Sequence, residues 1–395
     1  MTVINPRADI KQWSRLGDTA LTQMLLKGLV EFCPDISHVL VCGHPGDIEM
    51  SLSEDDYRIK CYELFTTLRE DCMIDYSFET NSSRLSQKEY YAHIRKLCER
   101  YKPDVIHIQQ AQVAASHYID SLQRDVGVPV IWTLHNPPEG RSTFQYSEDY
   151  RSLFHNADCE VICVSNSARS RLMDTLKLDV CPSNLNVIYN GVLDHEDSLA
   201  DRDIDFIAVG RIDPPKSTDM ILDFMARHPD KRSVFIGSTF STYDTSPDYT
   251  KLCYEKIDRG VHAGYLTHYE SMGHEMVMYL MRRSKYYVNL SRVETFSLTS
   301  CEAMMMGTPV ICFDEAGPGE IVPAEFGLKI KPVYRRRTSA YLQDLDKMLE
   351  YDDYKSRYNH SMISTYAKTT YSVKRMARSY ADLYERKVNN NDRKI

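Results

Sequence analysis

The order of short apolar segments and longer amphipathic segments is the feature that most constrains the fold of this 395-residue chain. Segments rich in Val and Ile that lack polar alternation are typical of strands buried on both faces of a parallel sheet. In the first half of the chain these segments are MTVINP, HVLVCG, DVIHIQQ, PVIWTLH, CEVICVS and NVIYNG. The helical patterns between them indicate repeated strand–helix–strand units.

The same pattern starts again after the acidic, polar segment NGVLDHEDSLADRD. The second series comprises DFIAVG, RSVFIGS, KYYVNLS, PVICFD and LKIKP. We therefore predict an α/β fold with two Rossmann-like, doubly wound domains that face each other across a central cleft. Ligands of such sheets bind at the carboxyl ends of the strands. The expected domains are residues 1–197 and 198–370, and residues 371–395 are expected to form a helix that packs back on the first domain and ends in a flexible tail.

Composition narrows the class of protein and its compartment. The net charge of -8 argues against a surface that as a whole attracts nucleic acid or anionic membranes. The 11 cysteines are odd in number and contain no Cys-x-x-Cys pair, which argues against a disulfide framework or a zinc site and favours the cytoplasm. No apolar run approaches the roughly 18 residues of a membrane span. We expect no signal peptide and no integral membrane segment, and peripheral contact with a membrane stays open.

One stretch, RVETFSLTSCEAMMMGTPVICFDEAGPGEIV, carries two glutamates, Glu294 and Glu302, with seven residues between them. Its pattern predicts a loop over RVETFS followed by a helix over SLTSCEAMMM, which Gly307 ends. The first turn of a helix presents unpaired backbone N–H groups and a partial positive charge, which together bind anions. The amides near Phe296, Ser297 and Leu298 are therefore candidates for holding a diphosphate.

The spacing of the two glutamates suggests how a nucleotide would lie. Glu302 comes five residues after Ser297, about 7.5 Å along a helix, which matches the reach from a diphosphate to its ribose. A carboxylate there can accept hydrogen bonds from ribose hydroxyls. Glu294 lies on the other side, where a sugar on the distal phosphate would be. On spacing alone, Glu294 as a partner of the helix dipole and Glu302 as an exposed helix residue remain open.

A second motif, AVGRIDPPKS, places Arg211 directly after a predicted strand and Lys216 five residues later. Both cations can neutralise a diphosphate leaving group, on which negative charge accumulates when a glycosyl bond breaks. The alternative is an ordinary surface pair on a turn.

Taken together, these motifs resemble the family-4 retaining glycosyltransferases, which have the two-lobed GT-B fold. The matching segments are VGRIDPPKS, ETFSLTSCEAMMMGTPVI and AGPGEIV in the second half, and PDVIHIQQ, PVIWTLHN, VICVSNSAR and NVIYNGV in the first. The resemblance extends over most of the chain. It implies an acceptor-side domain at 1–197 and a nucleotide-sugar donor-binding domain at 198–370.

The resemblance also implies roles for individual residues. Arg211 and Lys216 would bind the donor diphosphate, Glu294 would contact the donor sugar as a catalytic residue, and Glu302 would bind the ribose.

In the first domain, the resemblance implies a catalytic His135 beside the sugar and a Gly17 near the phosphates or the acceptor. A strand-end histidine with satisfied hydrogen bonds is the alternative for His135.

Several positions depart from the family pattern. Glu-Thr-Phe-Ser stands at 294–297 where the family has Glu-Gly-Phe-Gly, and Ser217 follows Lys216 where glycine is common. The loop at Gly17 has a single glycine, and Asn-Pro-Pro at 136–138 follows His135 in place of an acidic residue. These changes predict altered loop geometry or an unusual donor or acceptor.

The expected activity is transfer of a hexosyl or pentosyl group, with retained anomeric configuration and without a metal or other cofactor. The expected donor is a UDP-sugar, and the expected acceptor is a hydroxyl of a saccharide or a lipid-linked saccharide. A hydroxylated base in DNA is an alternative acceptor. A nucleotide-sugar epimerase and a catalytically silent nucleotide-sugar-binding protein are further alternatives. The Asp-x-Asp pairs at 203–205 and 344–346 are interpreted as structural.

Overall fold

The computed structural model describes residues 1–6, 17–43, 73–78, 87–109, 116–135, 152–195, 201–239, 246–333 and 337–392. The chain forms two compact units. The first unit comprises Met1–Gly191 together with Val373–Ile395, and the second comprises Val192–Ser372.

The first unit contains a seven-stranded sheet with the order β3-β2-β1-β4-β5-β6-β7. Its strands are β1 (Thr2–Pro6), β2 (Ser37–Gly43), β3 (Met73–Phe78), β4 (Val105–Gln109), β5 (Val130–Leu134), β6 (Cys159–Cys163) and β7 (Leu185–Val187). Helices α1 (Gly17–Phe32), α2 (Gln87–Tyr101), α3 (Ser116–Val126) and α4 (Asn166–Leu176) connect them. Every pair of neighbouring strands in this sheet is parallel.

The second unit contains a six-stranded parallel sheet with the order β10-β9-β8-β11-β12-β13. Its strands are β8 (Ile204–Val209), β9 (Ser233–Ile236), β10 (Leu266–Tyr269), β11 (Ser284–Asn289), β12 (Val310–Phe313) and β13 (Gly327–Ile330). Its helices are α5 (Thr218–Ala226), α6 (Pro247–His262), α7 (His274–Arg282), α8 (Leu298–Met305), α9 (Ala316–Ile321), α10 (Thr338–Glu350), α11 (Tyr354–Arg357) and α12 (His360–Tyr371). Among the described residues of this unit, short 3-10 turns cover Pro214–Lys216 and Ala324–Phe326.

The two sheets share one topology. In each, the first strand lies between the second and the fourth, so the order reverses between β1 and β4 and between β8 and β11. Strands β4, β5, β6, β9 and β12 are buried at every residue, as continuous apolar runs predict. The prediction of two Rossmann-like, doubly wound domains is confirmed. In such sheets the crevice at the reversal point is where ligands bind.

A final helix, α13 (Val373–Asp392), belongs to the first unit and packs against α1. The two helices approach closely at Gly28, where an added Cβ would lie 2.4 Å from Val373 Cγ1. Near the end of α13, Lys387 Nζ donates to Glu160 Oε2 at 2.6 Å and to the carbonyl of Ala157 at 2.9 Å.

These contacts tie the last turns of α13 to the sheet, and the helix ends at Asp392. None of the helices in the described ranges is both long and apolar enough to cross a bilayer.

A buried polar cluster joins α13 to the sheet of the first unit. His107 Nδ1 shares a hydrogen bond of 2.7 Å with Tyr384 Oη, and its Nε2 shares one of 2.8 Å with Thr133 Oγ1. Tyr380 Oη is 2.8 Å from Thr133 Oγ1. Burial lowers the pKa of His107 to about 3 and the pKa of His38 to about 4. Both rings are therefore neutral in the folded protein at pH 7.

Acid should therefore destabilise this chain through its buried histidines. An unfolded histidine binds its proton near pH 6.5, whereas folded His38 does so only near pH 4. The stability that its neutral form provides is complete above pH 6.5 and is lost as the pH falls below that value. At pH 4.5 the loss from His38 alone is about 2–3 kcal/mol. Urea unfolding at pH 7.0 and 4.5 measures it.

A His38→Leu variant should lose this part of the pH dependence and should be no less stable at pH 7, because neither ring nitrogen has a hydrogen-bond partner in the described part of the chain. His262→Gln, at an exposed position, is the matched control. An unchanged pH dependence in His38→Leu would contradict the assignment.

Candidate functional site

The loop after β8 carries the two cations of the AVGRIDPPKS motif. Arg211 Nη2 donates to Asp213 Oδ2 at 3.0 Å, and the carbonyl of Arg211 accepts from Thr218 Oγ1 at 3.0 Å. The latter bond closes the loop across the start of α5. Lys216 ends the 3-10 turn, and Ser217 then turns the chain into α5.

Ser217 is left-handed, with φ 52° and ψ 41°. Glycine adopts this conformation without strain, whereas a residue with a Cβ incurs a cost of about 1 kcal/mol. The left-handed backbone therefore explains why the family pattern has glycine at this position. In this chain the same turn is made by a strained serine.

The carboxylate of Glu294 is held from two strand ends at once. Lys216 Nζ, after β8, donates to Glu294 Oε1 at 2.8 Å. Asn289, the last residue of β11, donates from Nδ2 to Glu294 Oε2 at 3.2 Å. Only 13% of the Glu294 side chain is exposed. Lys216 was predicted to bind the diphosphate and Glu294 the donor sugar, and in the structure the two side chains are in direct contact.

Asn289 is also the centre of a buried hydroxyl network at the start of α8. Its Nδ2 donates to Ser297 Oγ at 2.8 Å and lies 3.1 Å from Ser300 Oγ, and Ser297 Oγ donates to Ser300 Oγ at 2.8 Å. All three residues are buried. The sequence analysis did not identify Asn289 or Ser300. The signal for them is a polar residue, Asn289, at the end of a buried strand, followed by two serines at the spacing Ser-x-x-Ser.

Helix α8 lies within the predicted segment SLTSCEAMMM, with Leu298 as its first residue and Ser297 as its N-cap. Ser297 has φ 88° and ψ 75°, again the left-handed region where the family pattern has glycine. Phe296 is buried beneath the turn. The amides of this turn belong to the part of a helix that has no intrahelical acceptors.

Glu302 lies inside α8 and is buried, so its interpretation as an exposed helix residue is wrong. Its Oε1 is 3.0 Å from Nε2 of His274, the first residue of α7. This hydrogen bond raises the pKa of His274, and the opposing effect of burial is smaller. Sequence reasoning did not single out His274, because nothing in the local pattern connects it to Glu302.

Arg211, Lys216 and Asn289 line a cavity at the point where the strand order reverses between β8 and β11. Residues lining it include Arg211, Lys216, Tyr287, Asn289, Ser291 and Thr299. Two of these residues are cations and the other four are polar, and the lining also includes the apolar residues Val209, Ile221 and Phe235. Such a cavity at a reversal point can hold an anionic ligand.

The remaining predicted residues lie in the first unit. His135 directly follows β5, is buried, and its Nε2 is 3.1 Å from Oε1 of Gln109 at the end of β4. Gly17 is the first residue of α1. The Asn-Pro-Pro segment at 136–138 lies outside the described residues.

The glycine-rich segment AGPGEIV supports the loop that carries Glu294. Gly317 N donates to the carbonyl of Glu294 at 2.8 Å. A Cβ on Gly317 would lie 2.5 to 2.7 Å from three backbone atoms of Phe296. Only glycine allows this approach, because real Cβ atoms do not come so close to backbone.

The Asp-x-Asp pairs have structural partners. Asp203 accepts from Arg283 and, at 2.5 Å, from Arg232 Nη1, while Asp205 accepts from Lys285 Nζ at 2.7 Å. In the second pair, Asp346 accepts from Arg227. Within the ranges the structure describes, no group of three or more His, Cys, Asp and Glu side chains is placed to hold a metal ion.

Two family models match the sequence. The glycosyltransferase family 4 model matches residues 71–195, and the model described as glycosyl transferases group 1 matches residues 193–361. No curated protein matches the sequence significantly.

Solved structures resemble the whole chain at low identity. HepE from Anabaena in complex with UDP is 14% identical, with a TM-score of 0.73 over 98% of this chain and 100% of that one. A glycosyltransferase from Rickettsia africae is 14% identical, with a TM-score of 0.72 over 98% and 99%. Sucrose-phosphate synthase from Thermosynechococcus elongatus is also 14% identical, with a TM-score of 0.71 over 98% and 99%. At these identities the likeness establishes the fold alone.

A Gly317→Ala substitution should damage the loop that carries Glu294. The new methyl group meets the backbone of Phe296, which cannot move aside as a flexible side chain would, so we expect a loss of about 2 kcal/mol in stability. Gly273→Ala is the control, because a Cβ at that position meets nothing within 4 Å. Thermal unfolding of both variants measures the difference. Equal midpoints would show that the close approach is not a constraint.

Proposed function

The chain is a family-4-like glycosyltransferase with the GT-B fold, and on this basis we propose that it transfers a sugar from a UDP-sugar to a hydroxyl acceptor with retained anomeric configuration. Uridine is favoured because HepE from Anabaena has been crystallised with UDP, with UDP and glucose, and with UDP-glucose. We assign donor binding to the second unit and acceptor binding to the first.

One observation carries the proposal: the cluster of Lys216, Glu294 and Asn289 at the reversal point between β8 and β11. A cation and a carboxylate in contact can recognise a sugar diphosphate at the glycosyl bond, where the sugar is joined to the diphosphate. The cation suits the phosphate and the carboxylate suits the hydroxyls of the sugar. An ammonium group has three N–H donors, and the bond to Glu294 uses one of them.

In the proposed reaction, the bond between the anomeric carbon and the diphosphate oxygen breaks as negative charge builds up on the diphosphate. Arg211, Lys216 and the amides of the first turn of α8 would stabilise that charge. The acceptor oxygen bonds to the anomeric carbon from the same face, and its proton passes to the departing phosphate oxygen. These fixed positive groups supply the stabilisation that a metal ion gives in other enzymes, so the proposal includes no metal or other cofactor.

Each glutamate has a separate task in this proposal. Glu294 would accept hydrogen bonds from the hydroxyls of the donor sugar while the ring carries positive charge. Glu302 would accept hydrogen bonds from the ribose hydroxyls, one helix turn and a half further from the phosphates.

In the first unit, His135 would lie beside the sugar as a catalytic residue and Gly17 near the phosphates or the acceptor. The proposed acceptor is a hydroxyl of a saccharide or a lipid-linked saccharide, reached from the cytoplasm or at a membrane surface. The transferred group is a hexosyl or pentosyl unit.

Binding of UDP should separate the tasks of these residues. We expect Lys216→Ala and Glu302→Ala to weaken UDP binding at least about tenfold, which corresponds to about 1.4 kcal/mol. Glu294→Ala should leave UDP affinity within about twofold, because its proposed contact is to the sugar. Isothermal titration calorimetry, with and without magnesium, measures these affinities.

Lys285→Ala is the matched control for Lys216→Ala, because Lys285 pairs with Asp205 near the other end of β11. This variant should bind UDP normally. Unchanged UDP binding in both Lys216→Ala and Glu302→Ala would refute the donor site.

Turnover should depend on Glu294 and on an acceptor. We expect Glu294→Ala to lower the rate of UDP release from UDP-glucose at least about 100-fold in the presence of a saccharide acceptor. Proton NMR of the anomeric position should show that the transferred sugar has the same anomeric configuration in the product as in the donor. Release of an altered nucleotide-sugar without any acceptor would favour an epimerase, and an inverted product would contradict the proposed reaction.

A further inference from the structure

The carboxylate of Glu302 has a polar neighbour that comes from outside its own helix. His274 Nε2 is 3.0 Å from Glu302 Oε1, and the two residues belong to different helices, α7 and α8. The Glu302 side chain is 11% exposed, whereas the His274 side chain is 47% exposed. The glutamate is therefore enclosed, whereas the imidazole is partly exposed to solvent.

We propose that His274 is a positioning residue that fixes the carboxylate of Glu302 for the donor ribose, so that donor affinity depends on the protonation of this imidazole. The inference rests on the proposed function, which gives Glu302 its ligand. It adds a residue outside the Glu-x7-Glu motif and a dependence on pH.

The geometry gives His274 control over the plane of the carboxylate. The last torsion of a glutamate side chain is broad, with no sharp staggered minimum, so an unrestrained carboxylate samples many orientations. Two adjacent ribose hydroxyls need acceptors in fixed directions. A carboxylate offers about four acceptor positions, and the bond from His274 uses one position on Oε1. The other positions keep a defined orientation as long as that bond holds.

The groups around His274 favour its charged form. Glu302 approaches it from α8, and Glu275 is its neighbour on α7. The ring centroid of His195, near the start of the second unit, is 6.0 Å from that of His274. Arg282 lies at the other end of α7. The bond to Glu302 raises the pKa of His274, and the charge of Glu275 acts in the same direction.

His195 responds in the opposite way. Burial lowers its pKa, and this effect outweighs the charge of Glu275, whose Oε2 lies 3.9 Å from His195 Nδ1 and acts in the opposite direction. The charge of His274 contributes to the same lowering. When one of the two rings carries a proton, it is therefore His274, and the bond to Glu302 is then charge-assisted.

The sign of the pH effect follows from this bond. A protonated imidazole makes a charge-assisted hydrogen bond, roughly twice as strong as a neutral one, and adds positive charge near an anionic nucleotide. Since the pKa of His274 lies above the ordinary histidine value of 6.5, the protonated form persists at and somewhat above that pH. Nucleotide affinity should therefore be higher at pH 6.5 than at pH 8.5.

Calorimetric titration with UDP at pH 6.5 and 8.5 tests the proposal. We expect the native protein to bind UDP about threefold more weakly at pH 8.5. His274→Gln keeps an N–H donor near the position of Nε2 but does not titrate, so it should lose most of this difference. His274→Ala removes the donor and should bind about tenfold more weakly at pH 6.5. His262→Gln, at an exposed position at the end of α6, should behave as the native protein does.

Because His274→Gln and the native protein are titrated with the same nucleotide, protonation of UDP itself affects both equally. NMR titration of the ring protons provides a second measurement without a nucleotide. The pKa of His274 should lie above 6.5 in the native protein and fall in Glu302→Gln.

The outcomes separate this inference from the proposed function. If Glu302→Ala binds UDP weakly while His274→Ala binds normally or more tightly, Glu302 keeps its role and His274 has none. An unshifted His274 in the NMR titration also overturns the inference. If the native protein does not bind UDP, or if Glu302→Ala binds it normally, the donor assignment fails and the role of His274 fails with it.

Discussion

The ion pair between Lys216 and Glu294 is the contact on which the site of the second unit depends. It joins the loop after β8 to the loop after β11, on the two sides of the reversal point. Because both side chains are largely enclosed, removing one partner would leave a partly desolvated charge, and such losses cost more than those at an exposed pair. Asn289 binds the other carboxylate oxygen, so the position of Glu294 is fixed by the ends of both strands.

The backbone around this ion pair is held in conformations that serine adopts only under constraint. Ser217 and Ser297 are both left-handed, and they directly precede α5 and α8. The side chain of Ser297 is buried in hydrogen bonds with Asn289 and Ser300, which offset the strain. The chain therefore keeps the loop geometry for which glycine is suited, and it stabilises one of the two turns with a polar network.

The sequence was most informative where periodicity and strand-end motifs act locally. The continuous apolar runs predicted two doubly wound sheets, and the segment from Glu294 to Gly307 predicted the loop and helix α8. Contacts between distant segments could not be predicted in this way. His274 reaches Glu302 from another helix, and the enclosed position of Glu302 depends on how α7 packs against α8. Lys387 of α13 likewise finds its partner Glu160 more than 200 residues away, a contact that no local pattern indicates.

A crystal structure of the protein with bound UDP would test the central claim most directly. The account predicts the diphosphate within hydrogen-bond distance of Arg211, Lys216 and the first-turn amides of α8, with both ribose hydroxyls on the carboxylate of Glu302. A diphosphate bound away from the ends of β8 and β11, or a ribose that does not contact Glu302, would contradict it.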